Sequence, residues 1–113
     1  MENLKQETLE IMSKYGKGID DIAFVCGDDY IIPTELFWKR ADTEYEPSFG
    51  IVDVATDLKV VFCDGSWLER HNYDCSEWWE YKKTPSENDM VLERDVPSLF
   101  GWDDTLNEIR QGL

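Results

Sequence analysis

The chain has one histidine and three cysteines, and no two cysteines stand in a C-x2-C pair. A structural zinc needs four nitrogen or sulfur ligands within about 2.3 Å of one point. Cys26, Cys63, His71 and Cys75 form the one nominal set. Cys26 falls in an apolar run, where a thiol behaves as a small hydrophobe. No metal and no other cofactor is therefore expected, and a zinc module built on those four residues is the third reading of the chain. A lone histidine also leaves little for nucleophilic catalysis. His71 with Cys63 or Cys75 is the one conceivable pair, and no strand-to-helix elbow presents either thiol. The seven glycines are scattered at turns, so no loop is built to cradle phosphate. The adjacent acids Asp20-Asp21, Asp28-Asp29 and Asp103-Asp104 read as turn and cap residues, without the spacing of a calcium loop. No apolar run is long enough to span a bilayer. The first ten residues, MENLKQETLE, lack the apolar core of an export signal. With an odd number of thiols, this points to reduced cysteines in a cytoplasm.

Positive charge is the scarcest resource. Eleven Lys and Arg stand against 25 Asp and Glu, for a net charge of −14. Such a surface repels nucleic acid and anionic membranes and attracts proteins with basic grooves. The plainer alternative is that the acidity serves solubility. What is abundant is core material: 42% of the 113 residues are apolar and 13% aromatic, which suits one globular domain spanning 1–113.

The stretch Leu58 to Tyr81, LKVVFCDGSWLERHNYDCSEWWEY, organises the rest. An apolar β-branched run meets Asp64-Gly65, the strongest short-range hairpin signal, and a second strand-like run returns from it. A turn at 72–74 then leads into Glu77–Lys82. Along that strand Trp78 shares a face with Glu80 and Lys82, and Trp79 shares the other with Tyr81. Upstream, Leu4, Thr8, Ile11, Met12 and Tyr15 recur at helical spacing over 2–15, Glu10 precedes Lys14 by four, and Gly16 and Gly18 supply the stop. Ile22–Cys26 and Tyr30–Ile32 read as a hairpin. Thr34 is a candidate N-cap for a short helix ending near Ala41. Residues 42–48 read as an acidic loop, with Tyr45 either anchoring it or exposed. Gly50–Val54 reads as a strand, and Met90–Arg94 as an edge strand. Leu99, Trp102, Leu106, Ile109 and Leu113 predict a helix over 99–113. The expected fold is α+β: an N-terminal helix, an antiparallel meander of about five or six strands, a short inserted helix and a C-terminal helix.

Two acidic clusters suggest a partner surface. Asp42, Glu44 and Glu46 make one; Glu69, Asp74, Glu77 and Glu80 make the other, with Glu87 and Asp89 continuing it. Duplex DNA carries a charge about every 1.7 Å of axis, a density that carboxylates along strands can approach. Interleaved aromatics, Trp78 foremost, would serve as anchors. The expected partner set is thus Asp42, Glu44, Glu46, Glu69, Asp74, Glu77, Trp78 and Glu80.

Phe24–Asp29 (FVCGDD), Phe37–Tyr45 (FWKRADTEY), Leu58–Arg70 (LKVVFCDGSWLER) and Tyr73–Tyr81 (YDCSEWWEY) resemble segments of small proteins carried by bacteriophages and prophages, mainly of Gram-positive hosts. The likeness covers most of residues 20–85. In that pattern a glycine commonly stands where this chain has Cys75. The resemblance implies a mobile-element origin, a bacterial cytoplasm and no enzymatic activity. It also implies kinship of type with host-defence antagonists such as anti-CRISPR proteins. The expectation is a non-enzymatic inhibitor that occupies the basic groove of a defence nuclease, such as a CRISPR effector, without touching nucleic acid or membrane. The alternative is an accessory interaction domain, or a homo-oligomer formed through an edge strand.

Overall fold

The first helix, α1 (Leu4–Lys14), begins where Asn3 accepts a hydrogen bond from the Gln6 amide at 3.0 Å. It ends at Gly16, whose φ of 69° is the left-handed stop anticipated there. The Gly16 amide returns to the Ser13 carbonyl and the Lys17 amide to Met12, closing the last turn on itself. Thr8 and Met12 are buried, and Leu4 and Ile11 pack beside them. Glu10 and Lys14 form no ion pair; the Lys14 ammonium lies over the Tyr15 ring instead.

The computed structural model describes residues 2–46, 52–90 and 93–111. The strands are β1 (Glu2–Asn3), β2 (Ile22–Cys26), β3 (Ile31–Ile32), β4 (Glu44–Tyr45), β5 (Lys59–Phe62), β6 (Trp67–Tyr73) and β7 (Ser76–Lys82). The remaining helices are α2 (Thr34–Ala41) and α3 (Leu106–Gln111). Five strands form one antiparallel sheet in the order β3-β2-β5-β6-β7, and β1 pairs with β4 in a separate ribbon. The α+β architecture read from the sequence is the one observed.

Both tight turns of the meander follow from their residues. Gly65 takes φ 88° after Asp64, and the Asp64 carboxylate holds the Ser66 amide at 2.9 Å. Between β6 and β7 the loop is only Asp74-Cys75, with φ 46° and 71°. Two positive φ angles make the turn whose twist matches the flanking strands. The turn therefore lies at 74–75 and not at 72–74. Cys75 sits in a conformation that suits glycine.

One face of the sheet is covered. Val25, Val60, Phe62, Leu68 and Trp79 point inward and meet Met12, Phe37 and Ala41 from the helices. Each such large apolar side chain contributes on the order of 2 kcal/mol when removed from water. The opposite face carries Phe24, Val61, Trp67, Glu69, His71, Trp78 and Glu80, none of them buried.

Further local readings change: Glu2–Asn3, read as helix, form β1, and Glu44–Tyr45, read as part of a loop, form β4, because the two segments pair with each other. Thr34 is the first residue of α2, and Pro33 stands in the cap position with no side chain to offer. Residues 52–54 are not strand, while 50–51 lie outside the described residues. The described part of Met90–Arg94 is likewise not strand. Among the described residues the closing helix covers Leu106–Gln111, and 112–113 lie outside them. Residues 99–105 are not helical: Asp103 has φ 60°, and Gly101 approaches Ile109 so closely that a Cβ there would lie 2.9 Å from its side chain.

Candidate functional site

The second acidic cluster does not form one surface. Alternation along β7 puts Glu77 on the same face as Trp79 and Tyr81, which is the covered one. Its side chain is 3% exposed and meets the Arg70 guanidinium at 3.0 Å. The Glu77 carboxylate also accepts the Asp53 amide at 2.8 Å and the Val54 amide at 3.0 Å. Burial alone would raise its pKa; the two amides and Arg70 outweigh that and hold it below the usual carboxylate range. Glu77 is thus an internal counter-ion and leaves the partner set.

Arg70 is the centre of this arrangement. Its side chain is 2% exposed, on the inner face of β6. It reaches Glu7 of α1 at 3.3 Å and the Tyr45 hydroxyl of β4 at 3.3 Å. Its guanidinium lies 5.0 Å from the centroid of the Trp79 ring. Tyr45 donates to Glu7 at 2.6 Å, which settles the tyrosine as an anchor for the 42–46 segment. Burial first, and then the Glu7 carboxylate, push the Tyr45 hydroxyl up to about 12. Trp79 donates its indole N–H to Thr8 at 2.9 Å, and Thr8 donates to the Leu4 carbonyl at 2.6 Å. One arginine therefore clasps α1, β4, β7 and the 53–54 loop to the sheet. Sequence reading missed Arg70 and Glu7, which are 63 positions apart. The available signal was period two: Arg70 shares a face with Leu68, and an arginine in that position needs an acid.

The uncovered face is mixed in charge. Glu69 accepts the Trp67 indole N–H at 2.7 Å and lies 2.6 Å from the His71 ring nitrogen. The Trp67 bond first, then His71, hold its pKa below the ordinary value. His71 also meets Glu80 at 3.0 Å, and Lys82 meets Glu80 at 3.4 Å. Glu80 is thus offset by Lys82, and Glu69 is held by hydrogen bonds to Trp67 and His71. Trp78 is partly open to solvent on this face, 6.5 Å centroid to centroid from His71. Asp74 stands apart at the hairpin tip.

The first cluster is different. Pairing of β1 with β4 sets Glu2 opposite Tyr45 and Asn3 opposite Glu44. Asp42 accepts from Asn3 at 3.2 Å. Glu2, Asp42, Glu44 and Glu46 are all exposed, so this ribbon concentrates four acids. Elsewhere, Lys17 is tied to Asp64, which raises the lysine pKa and depresses that of the aspartate.

The four zinc candidates are spread out. Cys26 pairs opposite Lys59 at one end of β5, Cys63 follows its other end, and Cys75 lies at the far hairpin. Among the described residues no three His, Cys, Asp or Glu side chains are grouped to hold a metal ion.

An open groove of about 280 Å³ runs between α1 and β7, lined by Glu7, Glu10, Ile11, Lys14, Trp78 and Trp79. Comparison with known protein families, curated proteins and solved structures found no match. Among the described residues no helix is long and apolar enough to cross a membrane.

Proposed function

We propose that this chain is a non-enzymatic acidic binding protein that engages a basic, nucleic-acid-binding protein and competes with the nucleic acid for its groove. The observation that carries the reading is the acid excess, 25 Asp and Glu against 11 Lys and Arg, four of those cations being tied to acids of the chain itself. Lys17, Lys59, Arg70 and Lys82 are held in ion pairs within the fold. That leaves exposed carboxylates to set the field around a chain of net charge −14. The acidic contact residues on this reading are Asp42, Glu44 and Glu46 on the ribbon and Asp74 at the hairpin tip. Glu69, Trp78 and Glu80 contribute a polar, aromatic face. A phage-encoded antagonist of a CRISPR effector nuclease is the form of this activity that the family resemblance implies.

The test is displacement. The protein is titrated into a CRISPR effector nuclease bound to fluorescently labelled DNA, over a series of salt concentrations. Release of DNA that weakens steeply with salt is expected, since exposed charge contacts are screened within about 10 Å at 0.1 M. Replacing Asp42, Glu44 and Glu46 together by lysine should flatten that salt dependence. DNA that stays bound at every salt concentration would leave the acidity as a matter of solubility.

A further inference from the structure

The two edges of the five-stranded sheet are unlike. One is β3, two residues long and followed at once by Pro33, so it offers almost no backbone to a neighbour. The other is β7, seven residues from Ser76 to Lys82 with neither proline nor bulge. Among the described residues no strand pairs with its outer side.

The hairpin register says which groups are free. A two-residue loop is flanked by a pair that exchanges both backbone hydrogen bonds, here Tyr73 and Ser76. Bonded pairs then alternate: His71 with Trp78, Glu69 with Glu80, Trp67 with Lys82. The N–H and C=O groups of Glu77, Trp79 and Tyr81 consequently face away from β6.

The groove beside α1 lies along this edge. Trp78 and Trp79 are consecutive, so their side chains leave opposite faces of the sheet. Both line the groove, which therefore runs beside β7. Its other wall is α1, which contributes the apolar Ile11 together with Glu7, Glu10 and Lys14. Glu7 is committed to Arg70 and Tyr45, whereas Glu10 is exposed and forms no ion pair among the described residues.

We infer that β7 accepts an extended segment of a partner as a sixth strand, and that this segment alternates apolar residues with lysine or arginine. Its backbone exchanges hydrogen bonds with Glu77, Trp79 and Tyr81. Its apolar side chains lie against Trp78 and Ile11, and a cation meets Glu10. A second copy fits the edge geometrically, but it would bring two bodies of charge −14 together. The choice of a cationic occupant rests on the proposed function; the choice of β7 does not.

The experiment uses the full chain and a short synthetic peptide of alternating lysine and valine. Amide hydrogen exchange is read residue by residue. The expected result is slowing of at least about tenfold at Glu77, Trp79 and Tyr81, the amides that acquire partners. The same peptide N-methylated on every residue, so that neither edge can donate, should give no slowing. Glu10→Lys should weaken the unmodified peptide roughly fivefold. Equal binding of the methylated peptide overturns strand addition. Slowing at those amides that needs no peptide, rises with protein concentration and accompanies a dimer in sedimentation overturns the cationic occupant. A glutamate–valine peptide that protects as well as the lysine one overturns the charge preference, and with it the basic-partner reading. Failure of the lysine peptide to protect, with DNA displacement from the nuclease intact, overturns β7 as the docking edge and leaves that reading standing.

Discussion

Arg70 and Trp102 belong to stretches of similar chemistry, each mixing aromatics with charge, and they end in opposite surroundings. Around Arg70 the polar tips of its neighbours meet partners: Trp79 finds Thr8, Tyr45 finds Glu7, and Glu77 takes two amides and the guanidinium, while among the described residues the buried Nε of Arg70 has none. Around Trp102, Leu99 is 72% exposed, Phe100 88% and Trp102 itself 98%. The described order there is local, with Gly101 seated on Ile109, Ser98 capping the Phe100 amide and Thr105 capping that of Glu108. The chain's radius of gyration is 17.7 Å. A compact chain of this length would have about 13 Å. Apolar content therefore does not decide which segment is buried.

The sharpest way to break the contrast is to remove its centre. Arg70→Ala leaves Glu77 buried without its cation, and a loss of about 3–5 kcal/mol is expected in urea unfolding. A loss below 1 kcal/mol would mean that the clasp is ornamental. The pH dependence comes next. Tyr45 holds its proton more tightly when folded, so its contribution is complete below pH 10.0 and fades as pH rises toward about 12. Tyr45→Phe should remove that slope. Glu77 has the opposite sign: its folded pKa is depressed, so its contribution is present above the ordinary value of 4.5 and is lost as pH falls below it. Glu77→Gln should flatten the acid limb of the stability profile. Cys75→Gly should raise stability by about 1 kcal/mol, because the φ of 71° strains any residue with a Cβ. Unchanged or lower thermal stability in that variant would count against the turn geometry. At the small end, Trp102→Ala should change stability by no more than about 0.5 kcal/mol. A cost above about 2 kcal/mol would place that indole against the body and erase the contrast.

The meander was legible because its signals are local. Asp64-Gly65, the β-branched run at 59–62 and the alternation of Trp78 with Trp79 each act within a few residues. The closing helix was misread because a 3.6-residue stripe from Leu99 to Leu113 looked continuous, while Gly101 and the left-handed Asp103 interrupt it. Glu77 was misread as surface because it is an acid among acids. The same alternation that separated the tryptophans already placed it on Trp79's face. The clasp itself could not be read from neighbours, since Glu7, Tyr45 and Arg70 meet only once the sheet and α1 are assembled.

That last point sets an order of events in time. The hairpins of 59–82 close over loops of a few residues and need little chain entropy to form. Joining Glu7 to Arg70 must close a loop of 63 residues. On this hypothesis the meander forms the folding nucleus and the clasp locks afterwards. Glu7 would then govern how slowly the native molecule opens and have little say in how quickly it forms. In stopped-flow measurements, Glu7→Gln should accelerate unfolding and leave refolding unchanged; slower refolding would put the docking of α1 inside the nucleus. A chain locked in this way keeps its edge strand in shape for as long as one arginine stays held.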